Sequence, residues 1–146
     1  MTDRIALDSS PLSLAAHPNE RAPRVKEVRD WLEAQLAAGA VVFLPEITDY
    51  EVRRELLRLR RQRSIERLDG LQTILTYLPL DTPTMRRAAE LWATVRQRGT
   101  PTADPKEIDP DVILAAQAER VGAVVATENV GHLSRLVTAK HWRDIK

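Results

Sequence analysis

The sequence contains no cysteine. That excludes a disulfide scaffold, a thiolate zinc site, an iron–sulfur cluster and a cysteine nucleophile. Aromatic residues make up only 4%, too few for a broad platform on which bases stack. The five glycines form neither a phosphate-cradling loop nor a dinucleotide fingerprint, and no Gly-x-Ser-x-Gly elbow is present. His17, His132 and His141 are scattered without metal-ligand spacing, which disfavours a zinc site. No apolar run approaches the roughly 20 residues of a membrane span, and the amino-terminus lacks a signal-peptide core. A soluble, cytoplasmic protein with no membrane partner is expected. Charge of one sign is also lacking: 22 Lys and Arg stand against 21 Asp and Glu, a formal net charge of +1. Bulk charge therefore names no partner, and only the placement of charges can.

What is present is 43% hydrophobic residues in a chain of 146, enough to bury one core, so residues 1–146 are expected to form a single domain. Short apolar runs alternate with longer amphipathic stretches, with no internal repeat. Strands are expected at Ile5-Ala6-Leu7, Ala40 to Leu44, Ile74 to Leu80, Ala123 to Thr127 and, at an edge, Trp142 to Ile145. Helices are expected over Arg24 to Ala38, Thr48 to Arg63 with an extension to about Gln72, Thr82 to Gln97, Pro110 to Val121 and His132 to Val137, with a loop or short helix over Ser10 to Ala22 and a polar loop over Thr100 to Asp109. The strands are continuously apolar rather than alternating. This is the pattern of an α/β fold whose parallel sheet is covered on both faces. Ligands of such sheets bind outside the carboxyl ends of the strands.

Four side chains fall at those ends. Asp8 follows the first strand. Glu51 is expected in the first helical turn after the second. Asp111 is expected in the first turn of the helix leading to the Ala123 strand, and Asn129 lies just past that strand. Each has a plainer reading. Asp8 is able to cap the next turn. Thr48-Asp49-Tyr50-Glu51 reads as a capping box. Asp109 and Pro110 read as the cap and first residue of their helix, which leaves Asp111 free or merely facing the helix dipole. Asn129 before Gly131 reads as a turn residue. Taken together, they suggest a crevice of carboxylates, which a fold gathers around a hard cation; Mg²⁺ takes a few carboxylates, several waters and substrate phosphate. Mn²⁺ is the alternative ion.

The residues in these places resemble the PIN-domain family, and within it VapC-like toxins. Leu7-Asp8-Ser9-Ser10 is similar to its first motif, Ile47-Thr48-Asp49-Tyr50-Glu51-Val52 to the second, Asp111 to Ala118 to the third, and Thr127 to Leu133 to the fourth, which often carries Asp where this chain has Asn129. The resemblance spans nearly the whole chain. It implies a five-stranded parallel sheet flanked by helices, a homodimer, and a metal-dependent endoribonuclease, the toxin of a toxin–antitoxin pair with an antitoxin protein as partner. It further implies that Asp8, Glu51 and Asp111 are acidic metal-binding and catalytic residues, that Asn129 fills the fourth catalytic position as a neutral group, and that Ser9 and Thr127 support metal-bound waters.

Arg53, Arg54, Arg58, Arg60, Arg61, Arg63 and Arg67 crowd one helical region. They form either a solvated face paired with Glu55 and Glu66 or a patch that meets phosphate, single-stranded RNA being the expected form. Arg53, Arg54 and Arg58 are the expected nucleic-acid contacts, and Arg53 and Arg54 are expected nearest the crevice. Trp31, Trp92 and Trp142 are expected in the core or a dimer contact. A non-catalytic PIN-like module that binds nucleic acid or protein is the alternative. A phosphatase or receiver on another doubly wound sheet is disfavoured, because Asp8-Ser9-Ser10 is neither an Asp-x-Asp pair nor an acidic doublet.

Overall fold

Four of the expected runs become strands, β1 (Arg4–Leu7), β2 (Val41–Pro45), β3 (Thr76–Leu78) and β4 (Val124–Thr127), and a fifth forms as β5 (Ala139–His141). In the computed structural model, which describes residues 2–98 and 105–146, they form one sheet in the order β3-β2-β1-β4-β5, parallel throughout. The expected fold class holds. Ile5 of β1 stands opposite Val42 on one side and Val124 on the other. Alternate residues face opposite ways. Ile5 and Leu7 pack with Leu12, Val28, Leu68 and Trp142, whereas Ala6 and Phe43 pack with Leu114, Ala118 and Leu133.

The first face is covered by α1 (Ser9–Ala16), α2 (Pro23–Ala37) and α4 (Gln62–Ile74), and the second by α6 (Pro105–Val121). Outside α6 lies α5 (Thr82–Gln97), held by Ala88 and Leu91 against Val112, Ala115 and Ala116. Between β2 and α4 runs α3 (Glu46–Arg58), which drops Ile47 into the second core and Val52 into the first. A single turn, α7 (Val130–Leu133), follows β4. Among the described residues no helix is long and apolar enough to cross a membrane.

Several boundaries differ from expectation. The second helix starts at Glu46, so Thr48 lies inside it, fully buried with an unpartnered hydroxyl, rather than at its cap. The helix bearing Asp111 starts at Pro105 and contains Pro110, so Asp109 is no cap and Asp111 sits in the second turn. Asp81, not Thr82, caps α5 by accepting the Thr84 N–H at 2.8 Å. The last strand is Ala139–His141; Trp142–Asp144 is a 3₁₀ turn that buries Trp142 on the first face. Of the polar loop expected over Thr100 to Asp109, the positions through Asp104 lie outside the described residues, and the rest is helix.

The continuous helix expected from Thr48 to Arg63 is broken after Arg58. The Arg60 N–H donates to Leu57 O and the Arg61 N–H to Leu56 O, which closes the last turn with Arg60 at φ 56°. This is the Schellman closure, whose left-handed position favours glycine. The ends of α2 and α6 make the same closure with Gly39 at φ 90° and Gly122 at φ 64°. Only α3 places an L side chain there. Arg60→Gly is expected to stabilise the protein by about 1 kcal/mol, relief of left-handed strain exceeding the added freedom of the unfolded chain. A urea midpoint at or below that of the unmodified protein contradicts this account.

Candidate metal centre at the carboxyl edge of the sheet

From β1 the chain winds to one side of the sheet through β2 and β3, then crosses to the other side of β1 at β4. The connections above β1 and β4 therefore part in opposite directions, and a crevice opens between them. Asp8 follows β1 directly, and Thr127 ends β4.

Hydrogen bonds stitch this junction. Asp8 Oδ1 accepts the Ser9 N–H at 2.7 Å, so the plain capping role of Asp8 on α1 is real. Its Oδ2 accepts the buried Thr127 hydroxyl, also at 2.7 Å. Thr127 Oγ1 in turn accepts the Asn129 N–H at 2.8 Å. The Ser9 hydroxyl lies 3.5 Å from Asp8 Oδ1, and the Ser10 hydroxyl accepts the Glu128 N–H at 3.0 Å. Asp8 Oδ2, with one donor, still has an unused lone pair. Asn129 is exposed, and its side chain makes no capping bond to α7.

Glu51 and Asp111 reach the same crevice from α3 and α6. Burial, then the charge of Asp8, push the Glu51 carboxyl up to about 7; Arg54 pulls it back, and Asp111 adds a smaller push. Burial, then Asp8, push Asp111 up to about 6, with His132 pulling the other way. The three carboxylates thus share one electrostatic neighbourhood. They do not close into a ready shell: among the described residues, no three His, Cys, Asp or Glu side chains are placed to hold a metal ion together. The donor chemistry nonetheless fits a hard cation. All donors are oxygens, two are half-buried and repelled by a third, and Mg²⁺ needs only one or two direct carboxylates because it keeps several waters.

The basic helix divides. Arg53 pairs with Asp49 at 3.1 Å and Asp69 at 2.8 Å. Arg58 pairs with Glu55. Arg54 stays exposed, stacked 5.1 Å from the Tyr50 ring centroid, and is the arginine whose charge Glu51 feels. Sequence reasoning assigned nothing to Gln117, yet its buried amide accepts the Ile47 N–H at 3.3 Å and donates to Leu78 O at 2.7 Å, clamping α6 to the start of α3 and the end of β3. An amide among Ala115, Ala116 and Ala118 was the available signal. Glu128, also unassigned, accepts the Trp142 indole N–H at 3.1 Å and pairs with Arg24 at 2.6 Å.

A parallel sheet with an acidic crevice at its winding reversal defines an α/β domain of the doubly wound kind. The PIN domain model matches residues 5–136, and the chain belongs to that family. Curated protein sequences contain no match. Among solved structures the fold is similar to VapBC2 from Rickettsia felis bound to a promoter DNA fragment, with TM-score 0.75, 17% identity, and 95% of this chain and 98% of that one covered. It is also similar to DNA-bound VapBC from Salmonella typhimurium, with TM-score 0.73, 20% identity and coverages of 95% and 98%. FitAcB from Neisseria gonorrhoeae follows at TM-score 0.69 and 21% identity, with coverages of 97% and 99%.

The raised carboxyls carry a stability consequence. A folded-state pKa above the unfolded value means that Glu51 costs nothing below about pH 4.5 and destabilises progressively as pH rises through 7. Asp111 acts with the same sign between its ordinary value of 3.8 and about 6. Discounted for partial exposure, Glu51→Gln is expected to stabilise the chelator-treated protein by on the order of 1–2 kcal/mol at pH 8 and by almost nothing at pH 4. Equal effects at both pH values in urea melts contradict the shared crevice.

Proposed function

We propose that this PIN domain is a divalent-metal-dependent endoribonuclease that cleaves single-stranded RNA, the toxin of a toxin–antitoxin pair in the cytoplasm. The observation that supports the reading is that the charge of Asp8, at the winding reversal, is felt by both Glu51 and Asp111. PIN membership supports a nuclease. The VapBC and FitAcB neighbours support a partner chain of the antitoxin kind, and a homodimer is the proposed assembly.

Asp8, Glu51 and Asp111 would hold Mg²⁺ or Mn²⁺. When bound, such an ion lowers the pKa of water and neutralises charge on a phosphoryl oxygen. The chain's own groups do the positioning. The Thr127 hydroxyl and Ser9 N–H fix both Asp8 oxygens, so Asp8 is the rigid ligand. Glu51 and Asp111, free of such bonds among the described residues, adjust around it. Exposed Asn129 supplies a neutral oxygen at the mouth, where a fourth carboxylate would strengthen a second ion. Arg54 stands beside Glu51 as the cation for incoming phosphate.

Asp8→Asn keeps the side-chain shape and one of the two accepted hydrogen bonds, its NH2 being able only to donate, and is expected to lower RNA cleavage by at least about a hundredfold, because one ligand charge is lost. Its circular dichroism spectrum should match that of the unmodified protein. Cleavage at the original rate overturns the assignment. Calorimetry tests the ion directly: Mn²⁺ binding should weaken about tenfold or more in Asp111→Asn. If the unmodified protein binds neither Mn²⁺ nor Mg²⁺, the non-catalytic reading replaces this one; the neutral Asn129 is the feature that favours it.

A further inference from the structure

An open hollow of about 800 Å³ lies between the loop joining α1 to α2 and the first turns of α4. Its walls carry Asn19, Arg21, Arg63 and Arg67, with Glu20 and Glu66 as the acidic side chains. Arg29 stands beside it: one Glu20 oxygen lies 3.0 Å from Arg29 Nη1 and 3.6 Å from Arg67 Nη1. One carboxylate is thus shared by two guanidiniums. The Nε atoms of both arginines are buried without an acceptor. Among the described residues Arg21 and Arg63 form no ion pair. Four guanidiniums therefore face two carboxylates. The first turn of α4 adds to the imbalance, since it has no acidic residue and no side-chain cap. Burial, with Arg29 and Arg63 close by, holds the Arg67 guanidinium below its ordinary value.

We propose that this hollow is a phosphate subsite that grips the RNA backbone away from the acidic crevice. The inference rests on the ribonuclease reading above. Three carboxylates in a crevice repel a polyanion, so a substrate strand needs a positive anchor elsewhere. Guanidinium forks suit phosphate oxygens. Both walls also lead into the crevice. Arg24, three residues past Arg21, pairs with Glu128 beside Thr127. On the other side, α4 is joined by a short turn to α3, which carries Glu51. Chain continuity of both walls with elements bordering the crevice suits a ligand long enough to use both, which favours RNA over an acidic peptide.

The test measures binding of a labelled single-stranded oligoribonucleotide by fluorescence anisotropy, in chelator, across 50–200 mM salt. Arg21→Gln/Arg63→Gln removes two exposed charges. Arg86→Gln/Arg96→Gln on α5 removes two from the opposite face. The first pair is expected to weaken binding about three- to tenfold and to shrink the log–log salt slope by about 1.4, or about 0.7 for each lost phosphate contact. The second pair should leave the slope unchanged. With Mg²⁺ present, the first pair should raise KM and spare kcat. An unchanged slope in the first variant, an equal loss in the second, or lost binding of a glutamate-rich peptide with RNA binding intact overturns the proposal. Normal salt-dependent binding without any cleavage in the unmodified protein sinks the nuclease reading and leaves the subsite standing.

Discussion

The reversal of winding at β1 is the constraint on which the rest of the site depends. Because β2 and β4 flank β1 on opposite sides, the connections above them part, and the residue after β1 is left facing an opening rather than a neighbouring loop. That residue is Asp8. Its two oxygens are each fixed by a donor from a different element, the Ser9 N–H of α1 and the Thr127 hydroxyl of β4. The bond across the reversal extends by one side-chain contact the ladder of the two central strands, whose last backbone bond runs from the Asp8 N–H to Ala126 O at 3.0 Å. The cap on α1 and the tie to β4 are thus one geometry, made by the two oxygens of a single side chain.

The other two carboxylates are held differently. Glu51 and Asp111 sit on separate helices, and their mutual placement depends on how α3 lies against α6. Gln117 fixes that relation: it belongs to the helix bearing Asp111 and accepts the backbone N–H of Ile47, about one turn before Glu51. Its other end holds the carboxyl end of β3. A buried amide with both ends bonded orients the elements at modest net energy, but leaving its partners unpaired costs about 1–3 kcal/mol. Positional precision at the crevice is therefore set in the core, by a residue that does not touch the crevice.

How much of this was readable in the sequence follows from the range of the interactions involved. The first four strands, the parallel sheet and the order of Asp8, Glu51, Asp111 and Asn129 along the chain are local patterns, and they were legible, as was the start of α5 at Thr82. The last strand and two helix starts were not. Thr48 to Glu51 satisfies the capping-box pattern, yet β2 ends at Pro45 and the helix begins at once, so tertiary placement overrides the local signal. Asp109-Pro110 looks like a helix start because proline suits a first turn, but a proline early in a helix also survives when the turns before it form anyway. The fate of Arg53 was hidden for the same reason: Asp49 is a helical neighbour, but Asp69 comes from α4 and becomes a partner only once α3 and α4 pack. Arg60 in a position usually given to glycine concealed the break between those helices.

A formal net charge of +1 conceals two opposed local fields. One is the crevice, where burial and the charge of Asp8 push two carboxyls above their ordinary range. The other is the arginine hollow, where two guanidiniums share one carboxylate and two more have none. Full pairing of these groups would have removed both fields and stabilised the fold. The chain does pair charges where nothing else is at stake: Arg143 with Glu27 at 2.7 Å, Arg87 with Glu119 at 2.8 Å and Lys26 with Asp30 at 2.5 Å. Leaving acid and base unpaired in two places, with α1 and its loop running from one to the other, sets a gradient along which a polyanion that also binds a divalent ion has one favourable direction.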